Sequence, residues 1–220
     1  MNDSSVTLRG FKIQESEIEM DDRRERTRQQ LVSAAIDVFH ENGFQNTRIS
    51  DIVARAGLAQ GTFYLHFKSK ENIFHHICSA FKAMFLSLLD RSAADMFAGD
   101  CLETVRSSLQ AFNRELIALF TANYKMAQLL FLEGRSHGGT FTELFESIYS
   151  AFIEKIVTHL LIGRERGHIV FDDAKTEAAF LIGLFDNSLF YFLRIRNRID
   201  IDRLSVRMTD FMLGGLSKRY

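Results

Sequence analysis

The chain contains no proline, where average usage of about 5% would place roughly eleven in a chain of this length. Proline inside a helix removes a backbone donor and clashes with the preceding turn, so its absence leaves long helices free to run. It also excludes polyproline linkers and cis-proline turns. The hydrophobic pattern agrees. Apolar residues recur three and four apart along most of the chain, and no segment alternates as a strand does. The expected class is all-α, with about nine helices and neither repeats nor low-complexity tracts. A length of 220 residues suffices for one large or two modest domains with a real core.

Hydrophobic residues make up 46% and charged residues 25%, a composition ordinary for a soluble globular chain. No run of eighteen uncharged apolar residues occurs, so no membrane span is expected. Residues 1–22 lack the basic start and apolar stretch of a signal peptide. Two cysteines cannot build a disulfide scaffold and fit a reducing, cytoplasmic compartment.

The net charge of −1 argues against a general nucleic-acid coat, but the charge is unevenly placed. Residues 1–22 are net −4, residues 23–70 are net +4, and residues 71–220 are net −1. The basic excess comes from Arg23, Arg24, Arg26, Arg28, Arg48, Arg55, Lys68 and Lys70. Such a local excess in a near-neutral chain suits a face built for phosphates. A solvated helix start at Arg23–Arg28 would give the same pattern.

Residues 1–22, acidic and weakly periodic, read as a tail with at most a short ordered piece at Leu8–Ile13. From Arg23, residues Leu31, Ala34, Ala35, Val38 and Phe39 fall at helical spacing, and Asn42-Gly43 is a stop signal. A short helix with Ile49, Ile52, Val53 and Ala56 on one side follows, capped by Thr47 or its neighbour and ended by Gly57. A second runs from Gln60 to Phe67. Ser69 caps a long helix reaching Ala94. Further helices are expected near 102–120, 126–133, 141–161, 173–196 and 201–216, with a loop at Arg135–Gly139 and a turn at Gly167-His168.

Thr47 to Phe67 is the most informative stretch. Two short helices separated by Gly57-Leu58-Ala59 form a helix-turn-helix pattern. Ile52 and Val53 brace the second helix, and Phe63 and Phe67, four apart, face inward onto the Leu31–Phe39 stripe. Gln60, Gly61 and Thr62 then stand on the first turn, where side chains of a recognition helix reach base edges. Tyr64 and His66 point outward toward phosphates, and Lys70 adds a cation.

Gly43-Phe44, Thr47, Asp51-Ile52, Ala56-Gly57-Leu58 and the run Gly61-Thr62-Phe63-Tyr64-Leu65-His66-Phe67-Lys68-Ser69-Lys70-Glu71 resemble the DNA-binding domain of the tetracycline-repressor (TetR) family. The resemblance covers about residues 25–75, a quarter of the chain. It implies three N-terminal helices for DNA and about six more for ligand and dimer contacts. The implied domains are an acidic tail (1–22), a helix-turn-helix domain (23–70) and a ligand-binding and dimerisation domain (71–220). Carried over by position, Thr47 and Arg48 are phosphate contacts, Ser50 reaches a base, Gln60, Gly61 and Thr62 read bases, and Tyr64, His66 and Lys70 touch phosphates. Two positions depart from the family pattern: Arg48 stands where Ser or Thr is usual, and Val53 replaces a common Ala.

The remaining 150 residues need a purpose of their own. Residues 141–161 carry Phe141, Leu144, Phe145, Ile148, Tyr149, Phe152, Ile153 and Ile156, apolar on most of the circumference, so this helix must be covered on several sides. The resemblance implies a pocket here for a small effector, and the aromatic richness points to an apolar one: a lipid-like acyl chain, a drug or an aromatic compound. Its expected lining is Phe81, Phe85, Phe112, Phe120, Phe131, Phe145, Tyr149, Phe152 and Phe185; a filled core is the competing reading. Residues 173–196 present two apolar stripes, and one of them, with Phe180, Leu184, Tyr191 and Ile195, requires another surface. The final helix adds Leu204, Met208, Phe211, Met212 and Leu216, with Gly214-Gly215 permitting close approach. A four-helix homodimer contact through Leu184, Tyr191, Ile195, Phe211 and Gly215 answers this, and two-fold symmetry demands a palindromic operator.

His75 and His76, adjacent on a helix, diverge and do not share a metal; a surface placement is expected. Cys78 and Cys101 read as inert thiols or as a redox pair. Asp186-Asn187 interrupts an apolar helix, serving either ligand or dimer. Arg194, Arg196 and Arg198 read as a solvated helix end. No cofactor or metal is expected. Neither a nucleophile elbow, nor a phosphate loop, nor a zinc-protease motif, nor a paired-cysteine motif occurs. The sequence therefore predicts a ligand-released transcriptional repressor; a DNA-binding adaptor with a filled core and an all-helical enzyme remain the alternatives.

Overall fold

The computed structural model describes residues 4–92, 96–99, 101–133, 140–196 and 198–216; for residues 4–19, 132, 133, 140 and 216 it describes the backbone alone. The expected loop at Arg135–Gly139 and the expected helix end at Ala94 lie outside the described residues. Among those described there are nine α-helices and no strand. They divide into two compact units, Met1–Ile77 and Cys78–Tyr220.

The first unit holds α1 (Ser4–Asn42), α2 (Ile49–Ala56), α3 (Gln60–His66) and the start of α4 (Lys70–Ser92). The expected tail is corrected here: α1 is one helix of 39 residues whose backbone runs through residues 4–22. The acidic-to-basic switch at Asp22–Arg23, read as a boundary, instead lets opposite charges meet one turn apart, as in Asp22–Arg26 at 3.8 Å. Helix α1 stops at Asn42, and Gly43 takes a left-handed φ of 76°. The core joins Leu31, Ala35, Val38 and Phe39 of α1 to Phe44, Ile52, Val53, Phe63, Phe67, Ile73 and Phe74, all buried. Phe39, Phe44 and Phe74 form a three-ring cluster with centroids 5.0–5.9 Å apart. Each such buried ring contributes about 1.5–3 kcal/mol.

The second unit begins within α4 and continues with α5 (Leu102–Ala122), α6 (Tyr124–Gln128), a π-helical turn at Leu129–Glu133, α7 (Thr140–Glu165), α8 (Ala174–Phe190), a second π-helical turn at Tyr191–Ile195, and α9 (Ile201–Leu216). Asp173 caps α8, its carboxylate accepting from the backbone N–H groups of Lys175 and Thr176. Those bonds hold the carboxyl below its ordinary range, the Thr176 contacts most of all. Helix α5 packs along α9, and α7 along α8. Arg106 pairs with Asp210 across the first interface. Gly163 on α7 is a packing requirement: a Cβ there would lie 2.8 Å from the Phe97 ring and 2.9 Å from Ile169.

Candidate nucleic-acid interface and internal cavity

Helix α2 opens at Arg48, whose N–H donates to the Asp51 carboxylate at 2.8 Å. This is half of a capping box, and it does not use a hydroxyl from residue 47. Arg48 and Ser50 are exposed. Helix α2 ends at Gly57, with φ 67°, and the Leu58 N–H closes the turn on Val53 O at 2.9 Å. A side chain at φ 67° is strained, so the bend between the two helices depends on this glycine. The exposed pair Arg55–Glu41, at 2.5 Å, ties α2 to α1.

Helix α3 follows after Ala59. Ile52, Val53 and Phe63 form the contact between α2 and α3, and Phe67 closes it below. This fixes which residues face out. Gln60 and Tyr64 lie one turn apart on one side, Gly61 and Leu65 on the next, and Thr62 and His66 on the third. Tyr64 is 55% and Leu65 72% exposed, Gln60 and Gly61 are exposed, and Thr62 and His66 are half-buried. The His66 imidazole is held below its ordinary value of 6.5, first by partial burial and then by Arg24 and Arg28 nearby.

Two expected contacts are corrected. Thr47 is 2% exposed, and its hydroxyl sits 2.8 Å from Gly43 O and 3.4 Å from Val38 O. Lys70 Nζ donates to Phe44 O at 2.8 Å, Thr47 O at 2.9 Å and Gln45 O at 3.3 Å, and lies 4.3 Å from the centroid of the Phe44 ring. An ammonium has three N–H donors, and here all three are engaged. Thr47 therefore ties the 43–47 loop to the end of α1 and Lys70 fastens it to α4, so neither side chain is free for phosphate. Leu65, given no role at the interface by sequence, is open to solvent, as is Lys68 of the basic excess. Leu65 was recognisable, since Phe63 and Phe67 define the inner face of α3 and Leu65 stands two residues from each.

The second unit encloses a cavity of about 70 Å³. Its wall is nearly all hydrocarbon, including Phe85, Phe97, Phe112, Phe120, Phe131, Phe152 and Phe185, with Asn113, His159 and Asp186 as polar members. Three expected lining residues do not reach it. Phe81 is buried edge-on against Phe120 at 5.1 Å. Phe145 packs on Phe131 at 6.3 Å and on Tyr149 at 5.6 Å, both rings half-buried along α7. Phe97, Asn113 and His159 went unread, each lacking an aromatic partner at helical spacing. The His159 ring nitrogens lie 2.7 Å from Lys155 O and 3.1 Å from Leu89 O. A second cavity, of about 210 Å³, shares Phe120, Phe131 and Asp186 with the first and adds Tyr124, Gln128 and Asn187. Asp186 thus borders both cavities, while the Asn187 amide donates to Gly183 O at 2.9 Å.

The chain from Ala174 to Ile195 is long and apolar enough, by length and composition alone, to cross a membrane, contrary to the expectation from run lengths. Its Ile182, Phe185 and Leu189 face is buried within the second unit. The opposite side leaves Phe180, Phe190, Tyr191 and Ile195 at least 42% exposed, and on α9 Phe211 is 68% exposed. Leu184 is half-buried, and Gly215 has open space beside it. His75 and His76 are half-buried, not surface residues, with His76 Nδ1 3.3 Å from the Arg28 guanidinium. Cys78 and Cys101 are both free thiols. Burial pushes Cys78 up to about 12, while hydrogen bonds from Thr104 lower the exposed Cys101.

Residues 31–77 match the family model described as bacterial regulatory proteins, tetR family. The chain is 24% identical over 191 residues to the fatty acid metabolism regulator protein of Bacillus subtilis, covering 86% of this chain and 95% of that one. It is 26% identical over 208 residues to the HTH-type transcriptional activator FasR of Mycolicibacterium smegmatis, covering 88% and 84%. The fold superposes on the crystal structure of the B. subtilis regulator FadR in complex with stearoyl-CoA with a TM-score of 0.68, at 23% identity, over 86% of this chain and 98% of that one. With a helix-turn-helix whose bend, brace and exposed first turn are all in place, residues 31–77 form a DNA-binding domain of the kind found in bacterial regulatory proteins of the tetR family.

Proposed function

We propose that this regulator is a cytoplasmic homodimeric repressor that binds a palindromic operator and is released from it by a lipid-like effector. The observation that carries the reading is the apolar cavity in the second unit, walled by rings from α4, α5, α7 and α8. Its volume of about 70 Å³ is far below the several hundred Å³ a drug-sized ligand occupies. Entry of an acyl chain therefore requires Phe120 or Phe131 to swing and join the two cavities they share. That requirement supplies the switch. The effector favours whichever state of the second unit has the joined space, and only this difference in affinity can move the DNA-binding equilibrium. Helix α4, continuous across the boundary between units, is the element through which the two are coupled.

The outward apolar faces of α8 and α9, through Leu184, Tyr191, Ile195, Phe211 and Gly215, pair with the same faces of a second copy. On the DNA side, Gln60, Gly61 and Thr62 read bases, Ser50 reaches a base from α2, and Arg48, Tyr64 and His66 touch phosphates. The relative crystallised with stearoyl-CoA suggests a long acyl chain as effector. The test is fluorescence anisotropy of a labelled operator duplex. Long-chain acyl-CoA added to the complex is expected to release the duplex while free coenzyme A does not. Retention with both refutes effector control.

A further inference from the structure

We propose that the cavity selects an apolar molecule bearing one hydrogen-bond donor, a hydroxyl or an amide N–H, and that Asn113 Oδ1 is the acceptor that selects it. The inference rests on the reading of this cavity as the effector site. Asn113 lies on α5 among Leu109, Phe112 and Leu116, is 0% exposed, and forms part of the cavity wall. Its amide has a determined orientation. Thr209 has a single hydroxyl proton, which it donates to Ser205 O at 2.8 Å. Thr209 Oγ1 can then only accept, and it accepts from Asn113 Nδ2 at 2.8 Å. The same nitrogen approaches Met212 Sδ at 3.5 Å. The nitrogen end of the amide is therefore committed to α9. Asn113 Oδ1 is left buried with no partner.

A buried acceptor without a donor is costly, and native structures rarely keep one without a use. His159 does not supply the donor, since both its ring nitrogens lie against backbone carbonyls. A ligand hydroxyl or amide N–H brought against Oδ1 as the cavity opens satisfies it. An ether, thioester or carboxylate, which can only accept, does not. An acyl chain hydroxylated along its hydrocarbon thus fits better than the plain chain.

The experiment compares 1-decanol with decyl methyl ether on the full-length protein, by displacement of a fluorescent apolar probe, in wild type and Asn113→Leu. Wild type is expected to bind the alcohol about fivefold more tightly relative to the ether than Asn113→Leu does, the ratio given by one net hydrogen bond. Equal discrimination in both proteins overturns the role of Asn113 while leaving the cavity as an effector site. Failure of both compounds to displace the probe overturns the cavity reading and the inference with it. Nuclear magnetic resonance of wild type needs no variant to fold: the Asn113 side-chain amide signals are expected to shift with the alcohol and not with the ether. Identical response to both compounds refutes the selection.

Discussion

Lys70 shows how a residue can occupy an expected DNA-contact position and still do different work. Its ammonium holds three loop carbonyls, so Lys70→Ala is expected to lower the stability of the first unit by about 1–3 kcal/mol, the worth of charge-assisted bonds at a half-buried site. Thermal unfolding followed by circular dichroism checks this. The slope of log Kd against log salt for duplex binding should stay unchanged, whereas Arg48→Ala should flatten it by about 0.9. Tyr64→Phe is expected to weaken binding to every duplex equally, and Gln60→Ala to relax sequence preference, both read by competition with mismatched duplexes. His66 adds a pH dependence. Its folded value lies below the ordinary 6.5, so the unfolded chain takes up a proton first. The associated stability is present above about pH 6.5 and is lost as pH falls through the folded value. A phosphate beside His66 favours the protonated form, so duplex affinity should rise as pH drops below 6.5. In His66→Gln that rise should disappear. The outward set Gln60, Gly61 and Tyr64 was legible because the Phe63–Phe67 spacing fixes the face of α3. Thr47 and Lys70 were not, because a hydroxyl or ammonium reads the same whether it meets a phosphate or a backbone carbonyl.

Elements were more legible than side-chain roles. The boundaries of α2, α3 and α9 followed from Gly57, the Phe63–Phe67 pair and the apolar repeat of residues 201–216. Helix α1 was misread over its first part because a helix without an apolar stripe has no periodic signature, yet nothing in residues 4–22 stops one; Gly10 alone costs about 1 kcal/mol. The π-helical turns at Leu129–Glu133 and Tyr191–Ile195 were equally invisible, as a one-residue insertion in a helix changes no residue type. At this scale the dimer face is testable. Ile195→Asp with Phe211→Arg places charges on two side chains that are 63% and 68% exposed in the single chain, so folding should survive. Sedimentation velocity at micromolar concentration is expected to show a dimer for wild type and a monomer for the double variant. An unchanged dimer would move the contact away from α8 and α9.

For the whole molecule, the sequence indicated that the second unit is aromatic and crowded, and six of the nine expected lining residues border the cavity. It could not indicate the size of the space, which depends on how rings from four helices interlock. Under the proposed function, a cavity of about 70 Å³ makes effector binding and rearrangement one event. DNA reading and effector sensing meet only if two copies set their α3 helices in register. The most direct measurement is selection of duplexes from a random pool by the full-length protein. The account predicts an inverted repeat whose half-site centres lie one helical turn, about 34–36 Å, or a multiple of it apart. Recovery of no enriched sequence, or of an enriched site without two-fold symmetry, would contradict it.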